Sequence, residues 1–125
     1  MPITYFVDDV KKLIYTRVEG IITFKDLKAH INADVCSASL NCGEIFDCTD
    51  ATTNITPQQI IDLAKARSLL AQVQTPFPVA VVATNDNFFG MMRMFESYTD
   101  EIRPIRIFRK VYEAEDWINL IKSYE

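Results

Sequence analysis

Asp47, Thr49 and Asp50 close one short apolar run, Thr84, Asn85, Asp86 and Asn87 close a second, and Arg109 and Lys110 close a third. These polar residues have the types that could do chemistry. Two nearby carboxylates can hold a divalent cation, and an arginine can hold a carboxylate or a phosphate. Thr56, just before Pro57, and Asn85 are side chains of the kind that cap helices. Asp47, Asp50, Thr56, Asn85 and Arg109 make up the candidate polar site. An enzyme using Asp47, Asp50 and Arg109 would need a metal or a phosphorylated substrate, and nothing else in the sequence asks for either. Acidic residues are common in turns, so no metal site is assigned.

The common catalytic constellations are missing. A serine or cysteine nucleophile needs a neighbouring base, usually histidine. The single histidine, His30, follows Leu27 and precedes Ile31, and it reads as a helix-edge residue. No GxSxG elbow is present. The three glycines, Gly20, Gly43 and Gly90, form neither GxGxxG nor a P-loop. Cys36, Cys42 and Cys48 contain no CxxC pair and read as small buried or half-buried thiols. No catalytic residue and no cofactor are expected, and the chain is read as a non-enzyme.

The most unusual stretch is Phe88-Phe89-Gly90-Met91-Met92-Arg93-Met94-Phe95. Its apolar residues lie around more than one side of a helix. Methionine adapts its shape and suits variable binding surfaces. Phe88, Phe89, Met91, Met92 and Phe95 are the candidate interaction or ligand surface, as a gate over an apolar pocket or a dimer contact. The competing reading makes Met91, Met94 and Phe95 ordinary core.

The elements that must position these residues follow from periodicity. Ile3–Val7 and Leu13–Val18 read as strands of an antiparallel hairpin, with Gly20 ending the second. Thr23 caps a helix with Asp26 three residues on. Phe24, Leu27, Ile31 and Val35 carry its apolar stripe, and the helix fades by Leu40. Asn41-Cys42-Gly43 is a turn. Glu44–Thr49 is a strand, and 47–56 reads as a polar loop. Thr56-Pro57 opens a helix with Ile60, Leu63, Ala64, Leu70 and Ala71 inward. Val79–Ala83 is a strand buried on both faces. Asn85-Asp86-Asn87 turns into the Phe88–Tyr98 helix. Ile105, Ile107 and Phe108 form the last strand, and Glu113–Tyr124 the last helix, with Ala114, Trp117, Ile118 and Ile121 on one stripe. The order ββαβαβαβα implies an α/β fold: a mostly parallel five-stranded sheet, its first strand antiparallel, covered by four helices. Ligands in such sheets gather at the carboxyl ends of the strands, where the candidate polar site lies.

Length and composition set the outer limits. A chain of 125 residues suits one domain, residues 1–125. An apolar content of 49% with 24% charged residues excludes a disordered chain. The net charge is −4, and the nearest thing to a basic stripe is Arg103, Arg106, Arg109 and Lys110. No nucleic-acid partner is therefore expected. The first residues lack a signal-peptide pattern, and no apolar run approaches the roughly 18 residues of a membrane span. A cytoplasmic address is expected.

The ordered pieces of the chain resemble the SpoIIAA-like proteins. Those are relatives of the STAS domain and, in fold, of the lipid-binding CRAL-TRIO/Sec14 domains. The resemblance runs through 18–23 (Val-Glu-Gly-Ile-Ile-Thr), Phe46-Asp47, 79–82 (Val-Ala-Val-Val), 89–96 (Phe-Gly-Met-Met-Arg-Met-Phe-Glu), Ile107-Phe108-Arg109 and 113–118 (Glu-Ala-Glu-Asp-Trp-Ile). It implies a single SpoIIAA/STAS-like domain of a bacterial protein, with a regulatory or protein-interaction role. In STAS anti-sigma antagonists a serine at the start of the helix after the third strand is phosphorylated. Thr56 stands near that place within Asn54-Ile55-Thr56-Pro57, but the serines and glycine of the motif are absent, and Thr56 reads as a cap. The Sec14 relation implies an alternative: a small hydrophobic ligand or lipid held under the Phe88–Phe95 helix. The partner is thus a protein, a second copy in a homodimer, or a small apolar molecule.

Overall fold

The computed structural model describes residues 3–31, 43–71, 78–99 and 104–122. In chain order these form β1 (Ile3–Asp8), β2 (Leu13–Ile22), α1 (Phe24–Ile31), β3 (Gly43–Thr53), α2 (Pro57–Ala71), β4 (Val79–Ala83), α3 (Asp86–Tyr98), β5 (Ile105–Phe108) and α4 (Val111–Lys122). The strands lie side by side in their chain order. β1 runs antiparallel to β2, and all later neighbours are parallel. Among the described residues no helix is long and apolar enough to cross a membrane.

Each crossover steps one strand in the same direction, so right-handed connections place α1, α2 and α3 on one face. Alternation along the strands supplies that face. Ile14, Val18 and Ile22 of β2, Phe46 and Cys48 of β3, and Val79, Val81 and Ala83 of β4 meet Leu27, Ile60, Leu63, Phe88, Met92 and Phe95 from the three helices. The other face has one helix. Ala114 and Ile118 of α4 pack on Leu13, Ile45, Ala80 and Val82, with Trp117 tilted against Phe108 at 5.9 Å. Gly43 lies beneath Ile118, where a Cβ would come within 3.1 Å of Cγ2. Beyond the reach of α4, Phe6 stacks flat on Tyr15 at 5.6 Å and remains 61% exposed.

Helix starts are set by caps. Thr23 and Asp26 bond reciprocally, at 3.1 and 3.2 Å. Thr56 and Gln59 do the same ahead of α2, at 3.0 and 3.2 Å. Each pair satisfies two amide groups that the first turn leaves open. Asn85 caps α3 by accepting from the Phe88 amide at 2.9 Å, so the helix begins at Asp86 rather than at Phe88.

Three further expected boundaries are corrected. β2 does not stop at Gly20 but passes through it, at φ 76°, and continues to Ile22. β3 does not give way to a loop at Asp47 but runs to Thr53. Its short polar side chains read as a loop, yet the β2 backbone supplies a ladder for them. One extra residue enters there, since Arg17 faces Asp47 while Glu19 faces Asp50. Asp47 Oδ1 holds this bulge by accepting from the Thr49 amide at 3.0 Å. Third, α4 starts at Val111, two residues before the expected Glu113. Val35, Cys36, Leu40, Cys42, Arg103 and Tyr124 fall outside the described residues, as do the side chains of Leu70 and Ala71. Cys48 is fully buried, and burial, with Asp47 and Glu44 adding to it, pushes its thiol well above the usual range.

The glycines separate backbone effects from packing effects. Gly20 and Gly90 both have open space where a Cβ would stand, but only Gly20 has positive φ. Gly20→Ala should destabilise by about 1 kcal/mol. Gly90→Ala, inside α3, should stabilise by roughly 0.5–1 kcal/mol. Urea unfolding of the two variants beside the parent checks both signs.

Candidate functional site

The polar residues at the carboxyl ends of the strands are spent on structure. Arg109 donates to the Thr84 carbonyl at 3.0 Å and to Asp86 at 2.8 Å, and its guanidinium lies 3.9 Å above the Phe89 ring. This ties the end of β5 to the start of α3. Asn85 and Thr56 are caps. Asp47 secures the bulge, and Arg17 links Asp47, Asp50 and Glu19 on the exposed surface. Asp47 and Asp50 thus share an arginine, while Thr56, Asn85 and Arg109 sit in separate contacts of their own. Among the described residues no three metal-ligating side chains gather.

The α3 residues divide by side. Phe88, Met92 and Phe95 are buried in the core. They are not open to an external partner. Phe89 and Met91 are partly buried and pack against the same core. The reason is that three helices share one face of the sheet, so α3 has neighbours on more than one side. Met92 and Phe95, however, also line a pocket.

That pocket lies between α1, α2, α3 and the sheet, toward the amino ends of β3, β4 and β5. Leu27, Ile31, Phe46, Leu63, Val79, Val81, Met92, Phe95 and Ile105 make its apolar wall, and His30, Glu44 and Arg67 are its polar members. Its volume is about 70 Å³, room for roughly six waters at about 12 Å³ each.

Glu44 is the unusual residue. As the second residue of β3 it alternates onto the helix-covered face, and its side chain is 6% exposed. Thr16, fully buried on β2, donates its hydroxyl to Glu44 Oε2 at 2.5 Å. His30 Nε2, at the end of α1, lies 2.8 Å from the same oxygen. An ionised carboxylate only accepts, so with Glu44 charged both neighbours donate. The imidazole also rests 5.1 Å from the Phe46 ring. Arg67, on α2, is 5% exposed, with its guanidinium 6.0 Å from the Phe95 ring. Buried charges of this kind are costly unless compensated by partners.

Sequence reasoning missed this group. His30 reads as a helix-edge residue because its partner is 14 positions away. Glu44 opens an apolar run and reads as a solvated strand end. The available signal was parity: Glu44 shares its side of β3 with Phe46.

On the opposite face, an open depression is lined by Thr4, Phe6, Tyr15, Arg17 and Asp47. Burial, a hydrogen bond to Glu115 and the nearby Glu115 and Asp47 charges push the Tyr15 phenol up to about 12.

No protein-family model matches the chain, and no curated protein does. Among solved structures it is similar to an uncharacterised protein of the DUF3478 family from Shewanella loihica PV-4, which has a SpoIIAA-like fold. The two share 14% identity at a TM-score of 0.57, over 93% of this chain and 91% of that one. The chain therefore has a SpoIIAA-like fold, and a likeness at this identity speaks to fold and not to function.

Two outcomes follow from these contacts. Glu44→Ala strands the Thr16 hydroxyl and should cost about 3 kcal/mol, whereas Glu44→Gln keeps an acceptor and should cost about 1 kcal/mol. Urea unfolding of both variants gives the comparison. For Tyr15, folding favours the neutral phenol. Its contribution to stability is fully present below pH 10 and is lost as pH rises from 10 through 12. Stability of the parent should fall more steeply over that window than stability of Tyr15→Phe.

Proposed function

We propose that this chain is a non-catalytic regulatory binding module that takes a small molecule into the pocket beneath α1, α2 and α3. The observation that carries this reading is the buried Glu44 carboxylate at the edge of an apolar pocket. Apolar walls with a few fixed polar groups are the usual make-up of ligand sites. Size limits the ligand. Space for roughly six waters suits a molecule of about five to nine heavy atoms, and an acyl chain is far larger. The lipid version of the pocket reading is therefore set aside in favour of a small ligand.

The order of the buried polar groups supports a non-catalytic role. In a hydrolytic triad the imidazole stands between hydroxyl and carboxylate, so it can take the hydroxyl proton. Here the carboxylate stands between Thr16 and His30. His30 is not placed to activate Thr16.

Benzene is a suitable probe of the pocket's apolar wall, since apolar cavity surfaces bind it. In amide NMR spectra, added benzene should shift Leu27, Met92, Phe95 and Ile105 and their neighbours. Ile105→Trp, at a partly buried pocket position, should abolish the shifts while the protein stays folded. Unchanged spectra, or shifts confined to the outer surface, would count against the pocket.

A second reading has its own observation. Among the described residues nine large hydrophobic side chains are exposed, and four of them (Tyr5, Phe6, Val7 and Val10) lie in β1 and the turn after it. β1 is an edge strand, and unprotected edges pair with other strands. In an antiparallel pairing of two copies centred on Phe6, Asp8 faces Thr4, so no like charges oppose one another. The interaction role is thereby assigned to β1 and a second copy of the chain, and not to α3. Sedimentation should then report a dimer that Val7→Lys converts to monomer. A parent that is monomeric at high concentration rules the contact out.

A further inference from the structure

The α4 side of the sheet is only partly covered. Among the described residues α4 alone packs there, on Leu13, Ile45, Ala80 and Val82. A strip over β1, much of β2 and the end of β3 stays bare. Strand alternation puts Phe6, Tyr15, Arg17, Glu19 and Ile21 on it, with Asp47 and Asp50 of the bulged β3 beside them. Phe6 is 61% exposed and Ile21 65%. The depression at Phe6 and Tyr15 is open, with about 450 Å³ of space. Exposed apolar side chains grouped on an uncovered sheet face mark an interaction surface.

Charge selects the partner. Arg17 is shared by Glu19 at 2.8 Å, Asp47 at 3.8 Å and Asp50 at 2.5 Å. Three carboxylates thus meet one guanidinium, and Glu115 adds a fourth carboxylate at the Tyr15 phenol. The strip keeps a surplus of negative charge. It repels phosphate, so nucleic acids and anionic membranes are poor occupants. Two copies set strip to strip would oppose like charges.

We propose that this strip docks a basic amphipathic helix of another protein, lying beside α4, with its apolar side chains on Phe6, Tyr15 and Ile21 and its lysines or arginines over Glu19, Asp50 and Glu115. Helices are what cover sheet faces in this layered architecture, as α4 already does on its own half. From Tyr15 to Ile21 the strip runs roughly 20 Å at about 3.3 Å per strand residue, the length of about 13 helical residues. An incoming cation gains carboxylates that Arg17 alone does not balance. The inference goes beyond both readings above, and it depends neither on the enclosed pocket nor on pairing along the β1 edge.

The test adds three peptides of about 14 residues to the full chain and follows amide NMR shifts. One alternates leucine and lysine at amphipathic helical spacing. The second replaces its lysines by glutamate, and the third replaces its leucines by serine. The leucine–lysine peptide should shift the amides of Phe6, Arg17, Glu19, Ile21 and Asp50 and bind at least about tenfold more tightly than the other two. Phe6→Ser and Asp50→Lys should each weaken it about tenfold. Both positions are largely exposed, and the spectra of the variants verify that they fold. Asp62→Lys, at an exposed position on α2, should change binding by less than about twofold. Absence of binding, shifts elsewhere on the surface, or equal binding of either control peptide overturns the proposal. Concentration-dependent shifts at Glu19, Ile21 and Asp50 without peptide would assign the strip to a second copy and overturn it as well.

Discussion

Three successive crossovers that all step the same way dictate most of this molecule. Right-handed connections then send every crossover helix to one face. α1, α2 and α3 crowd there, and their side chains meet over the centre of the sheet. The last described helix, α4, packs under the other face. One face is consequently thick, with space left between three helix surfaces. The other is half covered, and the β1–β2 hairpin keeps Phe6 and Tyr15 at the surface. The pocket and the bare edge are two results of the same winding.

Within that frame, Glu44 departs from ordinary core chemistry. Strand alternation turns it toward the helices and away from water. Its Thr16 and His30 contacts soften the cost of burial without removing it. Neighbouring core positions are filled by Ile14, Phe46 and Val81, so an apolar residue at position 44 would agree better with its surroundings. Sequences commonly break their local rules at functional positions. Arg67, buried in the same pocket lining, is a second departure.

Much of the architecture was legible in the sequence because its signals are local. Alternation marked β2, the continuous apolar run marked β4, and Thr23, Thr56 and Asn85 marked three helix starts. Gly20 and the polar stretch of β3 misled because propensity is a weak prior when a neighbouring strand supplies the ladder. The site was less legible. Asp47, Asp50, Thr56, Asn85 and Arg109 have the right residue types but serve the bulge, the caps and the tie between β5 and α3. Met92 and Phe95 were singled out and do line the pocket. His30 and Glu44 were not, since a contact between residues 14 apart in sequence has no local trace.

The likeness to a SpoIIAA-like protein of DUF3478 carries the fold, so function rests on the pocket itself. Whether that space is preformed is best tested by a crystal structure of the ligand-free protein under xenon pressure. The expected result is a xenon peak enclosed by Val81, Met92, Phe95 and Ile105, beside Glu44. Xenon bound elsewhere, or side chains closed over that space, would contradict a preformed ligand site.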